Sequence, residues 1–255
     1  MSSSIPTYVL HLDEFGGRAR NVAKIIQEND VLDVSIIKGI RGSDLPITVR
    51  AALSDDDRWA NHPGEIGCFL SHVKAWEQVA RMSNAYCIIL EDDALCDNIA
   101  RFNQIKMPSG ADLIFLNDRM SINLRPGDNA ATPSCIHWSE ALKNFSNDGK
   151  LIRRDIGADG YALSPTGASR LLSAIRSDLY FGHVDWRLLR YCVTEAEIVD
   201  LFGDDELGYV IRHHHNPRRP PKWGILTAWC LDQPLVRHGK EESVRNRENA
   251  IKDLP

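Results

Sequence analysis

Short apolar runs and stretches of helical period alternate along the first third of the chain. Thr7–Leu12 (TYVLHL) is rich in β-forming residues and predicts a strand. Asp13–Gly17 then reads as a turn, with Gly16-Gly17 as the breaker. Val22, Ile25 and Ile26 fall at helical spacing and predict a helix over Arg18–Asn29, packed on a sheet. Val34–Lys38 (VSIIK) is a second strand, and the order strand, helix, strand implies a right-handed crossover in a parallel sheet. Gly39–Asp57 reads as irregular, with Asp55-Asp56-Asp57 as a solvated helix end. Asn61-His62-Pro63-Gly64-Glu65 is a helix-start signal, and the helix should run to about Met82. Ile66, Phe69, Leu70, Val73, Trp76 and Ala80 form its apolar stripe. Gly67, Ser71 and Ala75 form a line of small residues, where another backbone or a flat ligand can come close. Glu65 and His72 flank the stripe, where structural hydrogen bonding is the default reading.

The next run, Tyr86–Ala94 (YCIILEDDA), is the centre of the pattern. Its apolar part reads as a strand buried on both faces, as in the core of a parallel sheet. The chain then passes straight into Glu91, Asp92 and Asp93, at the carboxyl end where open α/β sheets bind ligands. Three carboxylates leaving a dry strand repel one another and resist desolvation. A divalent cation is the simplest reason to gather them, and oxygen ligands favour Mg²⁺ or Mn²⁺ over zinc. A solvated acidic turn is the other reading. Strand alternation would send Glu91 and Asp93 to one side and Asp92 to the other. Arg18 and Arg20 would lie near the end of the first strand, placed for phosphate or sugar contacts or simply solvated.

Beyond the acidic run, a short amphipathic helix ends at Pro108, and Asp112–Leu116 is another buried strand with Asn117-Asp118-Arg119 at its end. Met120–Lys150 has little periodicity and reads either as a functional loop, which in a transferase would be the acceptor loop, or equally as decoration. Leu151–Arg154 and Ala158–Leu163 read as short strands that pair. A helix follows over Pro165–Arg176, then Asp185 at the mouth of a further helix over Trp186–Thr194. Tyr209–Arg212 is a strand leading to His213-His214-His215 and the turn Pro217–Pro221; one of these histidines could join a metal, and a polar edge strand entering the turn explains them as well. Arg218, Arg219 and Lys222 would meet a diphosphate or stay solvated, and Trp223–Trp229 returns an apolar patch to the core.

Composition narrows the class. At 255 residues, with 43% hydrophobic and 25% charged residues, the chain has the makeup of an ordinary globular protein. A net charge of −5 argues against a nucleic-acid partner. No run approaches bilayer-spanning length, and MSSSIPTYVLHL has no basic region or apolar core of a secretory signal. The six cysteines lie far apart without a CxxC pair, which favours reduced, buried thiols in a cytosolic protein. We expect one domain over 1–238 and a charged tail over 239–255.

GEIGCFLSHVKAW (Gly64–Trp76) followed by IILEDDA (Ile88–Ala94) resembles the pattern of glycosyltransferase family 25, which includes bacterial lipopolysaccharide galactosyltransferases and procollagen galactosyltransferases. YVLHLDEFGGRARNV is similar to the family's first strand and arginine-bearing turn, with His11 where asparagine is usual. GADLIFL, GADGYALSPTGASRLL and HVDWRL resemble later segments, so that the likeness spans residues 7–215 at the level of topology. The resemblance implies a GT-A-like nucleotide-diphospho-sugar transferase fold: α/β, with a mixed, mostly parallel central sheet flanked by helices. It implies that Asp93 binds Mn²⁺ (or Mg²⁺) and that Glu91 and Asp92 hold the ribose or base side of a UDP-sugar. Arg18, Glu65, Ser71 and His72 join the donor side through the shared motifs, and Asp185 is the candidate catalytic base, ahead of Asp159 and Asp118. The implied reaction moves a hexose, galactose first, to a glycan or lipid-linked glycan acceptor with inversion at C1. Its implied place is the cytoplasm, with peripheral attachment at the inner face of the membrane. The rival readings are a nucleotide-sugar-binding module without turnover and a metal-dependent hydrolase using the histidine triplet.

Overall fold

In the computed structural model, residues 4–12, 16–54, 62–96, 98–121, 132–143, 146–147, 150–151, 156–178, 183–202 and 222–239 are described. Seven strands form one sheet: β1 (Ile5–His11), β2 (Leu32–Lys38), β3 (Cys87–Glu91), β4 (Leu113–Phe115), β5 (Cys135–His137), β8 (Gly160–Leu163) and β9 (Ala228–Leu231). Their order is β2-β1-β3-β8-β4-β9-β5. β1 is parallel to both neighbours and β9 is parallel to β4, whereas β8 is antiparallel to β3 and β4, and β5 to β9. Only β5 and β8 therefore run against the rest, which gives the mixed, mostly parallel sheet expected. A separate pair, β6 (Ser146–Asn147) and β7 (Lys150–Leu151), is antiparallel.

Alternation along β3 builds two cores. Ile88 and Leu90 point to one face, with Val9 of β1 and with Val22 and Ile25 of helix α1 (Gly16–Glu28). Cys87 and Ile89 point to the other, with Phe69, Trp76 and Val79 of helix α3 (Pro63–Val79). That second face also takes Ala168 and Leu171 of α5 (Pro165–Asp178), and Leu188 and Leu189 of α6 (Val184–Tyr191). A strand dry on both faces must be apolar at successive positions, which is the pattern its sequence shows. Each such buried side chain contributes about 1.5–3 kcal/mol.

Several expectations shift. Helix α1 begins at Gly16, so the glycine pair opens the helix; in a first turn it weakens no interior hydrogen bond. Residues 39–57 are not wholly irregular: they carry a 3₁₀ turn at Gly42–Asp44 and helix α2 (Ile47–Ser54). Pro46 starts that helix, its carbonyl accepting from Val49 N at 2.9 Å and Arg50 N at 3.0 Å. The amphipathic helix after the acidic run is a 3₁₀ segment, Ile99–Gln104. The two short strands expected to pair go separate ways: β7 pairs with β6, and β8 inserts between β3 and β4. Helix α4 (Trp138–Leu142) and helix α7 (Glu195–Phe202) complete the described helices. All six cysteines carry free thiols; Cys87, Cys192 and Cys230 are buried and the other three half-buried. Asp55–Asp57, the histidine triplet, the strand and proline turn around it, most of the acceptor loop and the tail from Lys240 lie outside the described residues.

The small-residue line on α3 receives a backbone. A Cβ at Gly67 would lie 2.5 Å from the Ile40 carbonyl oxygen and 2.6 Å from Gly42 N. Ser71 Oγ accepts from Ile40 N at 2.8 Å and donates to Gly67 O at 2.7 Å. The Ser71 hydroxyl thus ties the segment after β2 to α3. Gly67→Ala should therefore destabilise the fold by about 1–3 kcal/mol. Gly16→Ala, with no atom within 4 Å of its Cβ, should stay within about 0.5 kcal/mol of wild type; urea unfolding of both checks this.

Candidate active site

β3 ends at Glu91, and the parity of the strand decides where the acids go. Glu91 continues the Cys87–Ile89 side and meets His72 of α3, Nε2 to Oε1 at 3.3 Å. Asp92 falls on the α1 side, where it is hydrogen-bonded to His11 Nδ1 at 2.9 Å and receives Arg18 Nη1. Alternation predicts that Asp93 rejoins Glu91, and here the structure differs. The chain turns at Asp92–Asp93, and Asp93 Oδ2 accepts from Arg18 Nη2 at 2.7 Å. Asn21 holds that turn, donating to Asp92 O at 3.0 Å and Ala94 O at 2.8 Å. One guanidinium in the first turn of α1 thus bridges two adjacent carboxylates. Arg18 is buried beneath them, while Arg20 is exposed, as the solvated reading had it.

The antiparallel insertion of β8 adds a further carboxylate. Asp159 immediately precedes that strand, and its carbonyl accepts from Glu91 N at 2.9 Å. Arg119 grips its carboxylate with Nε at 2.7 Å and with Nη2. A Cβ at Gly157 would strike the Arg119 guanidinium, so glycine is what lets that arginine pass. His238 arrives from the segment after β9, which returns through bridges of Val236 to Asn117 and Arg237 to Leu95. Its Nδ1 lies 2.9 Å from Asp159 Oδ1, and its backbone N donates to Asp118 Oδ1 at 3.1 Å. Asp118 thus fastens the returning segment. Gly239 completes the approach: a Cβ there would collide with the Asp93 carbonyl oxygen.

Asp93, Asp159 and His238 each present one ligand atom, all within 4.8 Å of one another. The residues fit a divalent cation. Asp93 Oδ1 is buried and has no hydrogen-bond partner among the described residues. Burial pushes the Asp93 carboxyl up to about 7, with the Glu91 and Asp159 charges acting the same way and Arg18 and His238 opposing. The hydrogen bond to Asp159 raises His238. An acid held this high has too little positive charge beside it, and two carboxylates with an imidazole suit Mn²⁺. The group that could hold a metal thus joins Asp93 with Asp159 and His238. His238 was missed because a single histidine before Gly239 carries no local signal; only long-range bridges bring it in.

The remaining candidates divide. Asp185, half-buried in the first turn of α6, accepts from Ala158 N at 2.9 Å, and its charge reaches Arg119, so it stands next to Asp159. Glu65 is buried at the start of α3, its carboxylate 3.7 Å from His62 and 3.8 Å from His183, the N-cap residue of α6. His72 faces Tyr161 as well as Glu91.

With this geometry, residues 4–184 match the profile described as Glycosyltransferase family 25 (LPS biosynthesis protein). The chain belongs to glycosyltransferase family 25. The family span takes in the acidic run and Asp159, and stops short of Asp185 and His238. Membership accords with the GT-A-like sheet and helices described above. The chain is also similar to procollagen galactosyltransferase 2 of Homo sapiens, 24% identical over 178 residues, which is 66% of this chain and 27% of that protein. It therefore spans about a quarter of that relative's length.

Mn²⁺ should raise the melting temperature of the wild-type protein. His238→Ala and Gly239→Ala should each weaken Mn²⁺ binding by about tenfold or more in a calorimetric titration, one by removing a donor and the other by displacing it. Unchanged affinity in both would remove His238 from the centre.

Proposed function

We propose that the chain is a metal-dependent glycosyltransferase that moves a hexose, galactose first, from a UDP-sugar to a glycan or lipid-linked glycan acceptor, with inversion at C1. The observation that carries this reading is the orphaned Asp93 Oδ1 beside Asp159 and His238, at the carboxyl edge of the sheet of a family 25 chain. Bound there, Mn²⁺ (or Mg²⁺) supplies the positive charge that a departing diphosphate needs. Arg18 holds Asp92 and Asp93 in place, and Asp92 and Glu91 take the ribose or base side of the nucleotide. Asp185 accepts the proton of the acceptor hydroxyl as its oxygen bonds to C1 and the bond from C1 to the diphosphate oxygen breaks. Glu65 acts at a distance, tying the start of α3 to the start of α6 and so to Asp185.

The acceptor end of the reading rests on the family's description and on the galactosyltransferase relative. No described helix is long and apolar enough to cross a membrane. In our reading a lipid-linked acceptor is met by peripheral attachment at the inner face of the cytoplasmic membrane.

Two measurements test the proposal. In a thermal-shift panel of UDP, GDP and CMP sugars, UDP-sugar with Mn²⁺ should give the largest rise, and Asp93→Asn should abolish it. Asp185→Asn should keep that rise while lowering kcat by about 10²–10⁴. A rise without turnover on any acceptor would favour a binding module, and sugar release without nucleotide dependence would favour a hydrolase.

A further inference from the structure

On the α3 face of the sheet, just below the site, four side chains form one hydrogen-bonded series. Trp76 Nε1 donates to Tyr161 Oη at 2.7 Å. Tyr161 Oη lies 2.8 Å from His72 Nδ1, and His72 Nε2 lies 3.3 Å from Glu91 Oε1. The His72 and Tyr161 rings stack, with centroids 5.8 Å apart and planes 17° apart. Trp76, Tyr161 and His72 are each 0% exposed, whereas the Glu91 side chain is 23% exposed and opens toward the acidic edge. The first three are thus sealed in the core, and the fourth is reachable.

The proton count in this series has one satisfied solution. An indole N–H can only donate, so the Tyr161 oxygen is the acceptor at that contact. Burial raises the Tyr161 phenol well above its ordinary range, so the hydroxyl keeps its proton. That proton is used if it points at His72 Nδ1; pointed elsewhere in a fully buried place, it loses its partner. Nδ1 is then the acceptor, and a neutral imidazole must carry its hydrogen on Nε2, facing Glu91. The direction of donation is set from the core outward: indole to phenol, phenol to imidazole, imidazole to carboxylate.

We propose that Trp76, Tyr161 and His72 are positioning residues that lock His72 as its Nε2–H tautomer and thereby aim the Glu91 carboxylate at the donor side of the transfer site. The role at the donor side rests on the transferase reading; the tautomer does not. Glu91 is two residues from Asp93, whose charge repels its own, and its charge also reaches Arg18 and Arg119. The His72 N–H, on a ring stacked against Tyr161, gives the carboxylate a fixed direction among these opposing pulls. Tyr161 gains this role from its register on β8, opposite Ile89 of β3, two residues before Glu91. The motif GEIGCFLSHVKAW contributes two of the four members of the series, His72 and Trp76, one helical turn apart.

Nitrogen-15 NMR of histidine-labelled wild-type protein tests the tautomer without any variant. The expected spectrum has His72 protonated at Nε2 and bare at Nδ1, and Tyr161→Phe should turn this single form into a mixture. A proton on Nδ1 in the wild type would overturn the proposal. So would a bare Nε2 shifted by added Zn²⁺, the sign that Cys68, His72 and Glu91, whose ligand atoms also lie within 4.8 Å of one another, hold a thiophilic cation instead. In turnover, Tyr161→Phe should lower kcat by about tenfold or more with the donor KM within about twofold. In a Glu91→Gln background the same substitution should change kcat by less than about twofold, because the group it aims is already gone. Losses that multiply would reduce Tyr161 to a packing residue. If no form turns over, the transferase reading fails, and the spectrum still decides the tautomer.

Discussion

Asp92 and Asp93 share one buried guanidinium, and much of the surrounding structure follows from that shared grip. Two adjacent carboxylates at the end of a dry strand would repel each other and seek water. Arg18 answers both at once, from the first turn of helix α1. His11 supports Asp92 from the neighbouring strand, and Asn21 closes the turn from below. What Arg18 leaves open is a single oxygen, Asp93 Oδ1, turned toward Asp159 and His238. A tight internal pairing of this kind directs the unmet need for charge to one point.

The same edge shows how packing places chemistry. Gly157, Asp159 and Gly160 act together: the first makes room for Arg119, the second meets that arginine, and the third lets Val236 lie against the strand. Ala158, between them, is pinned by Asp185. Four consecutive small or acidic residues therefore bind an arginine, a helix start and the returning segment into one unit. Asp112 plays a comparable structural part away from the site, holding Arg170 of α5 and the backbone of Thr227 before β9.

What the sequence made legible was local. The strand Cys87–Glu91 announced itself because burial on both faces demands apolar residues at every position, and the acids marked its ligand-facing end. Helix α3 was legible from its proline start and its stripe. Asp159 and His238 were not legible as partners of Asp93, because an antiparallel strand inserted into a parallel order brings the first, and two isolated bridges bring the second. Ser71 is a related case. A small residue on a helix face says that something comes close, and only the tertiary structure says that it is the backbone of Ile40.

The segment Leu235–Gly239 ends the last described piece of the chain, and it lies against both Asp159 and Asp93. As the chain is synthesised, Asp93 emerges long before His238. Asp93 and His238 are therefore brought together only where the segment after β9 bridges back to Asn117 and Leu95. A polypeptide ending where the family likeness ends would carry the family's signature without His238 beside Asp159.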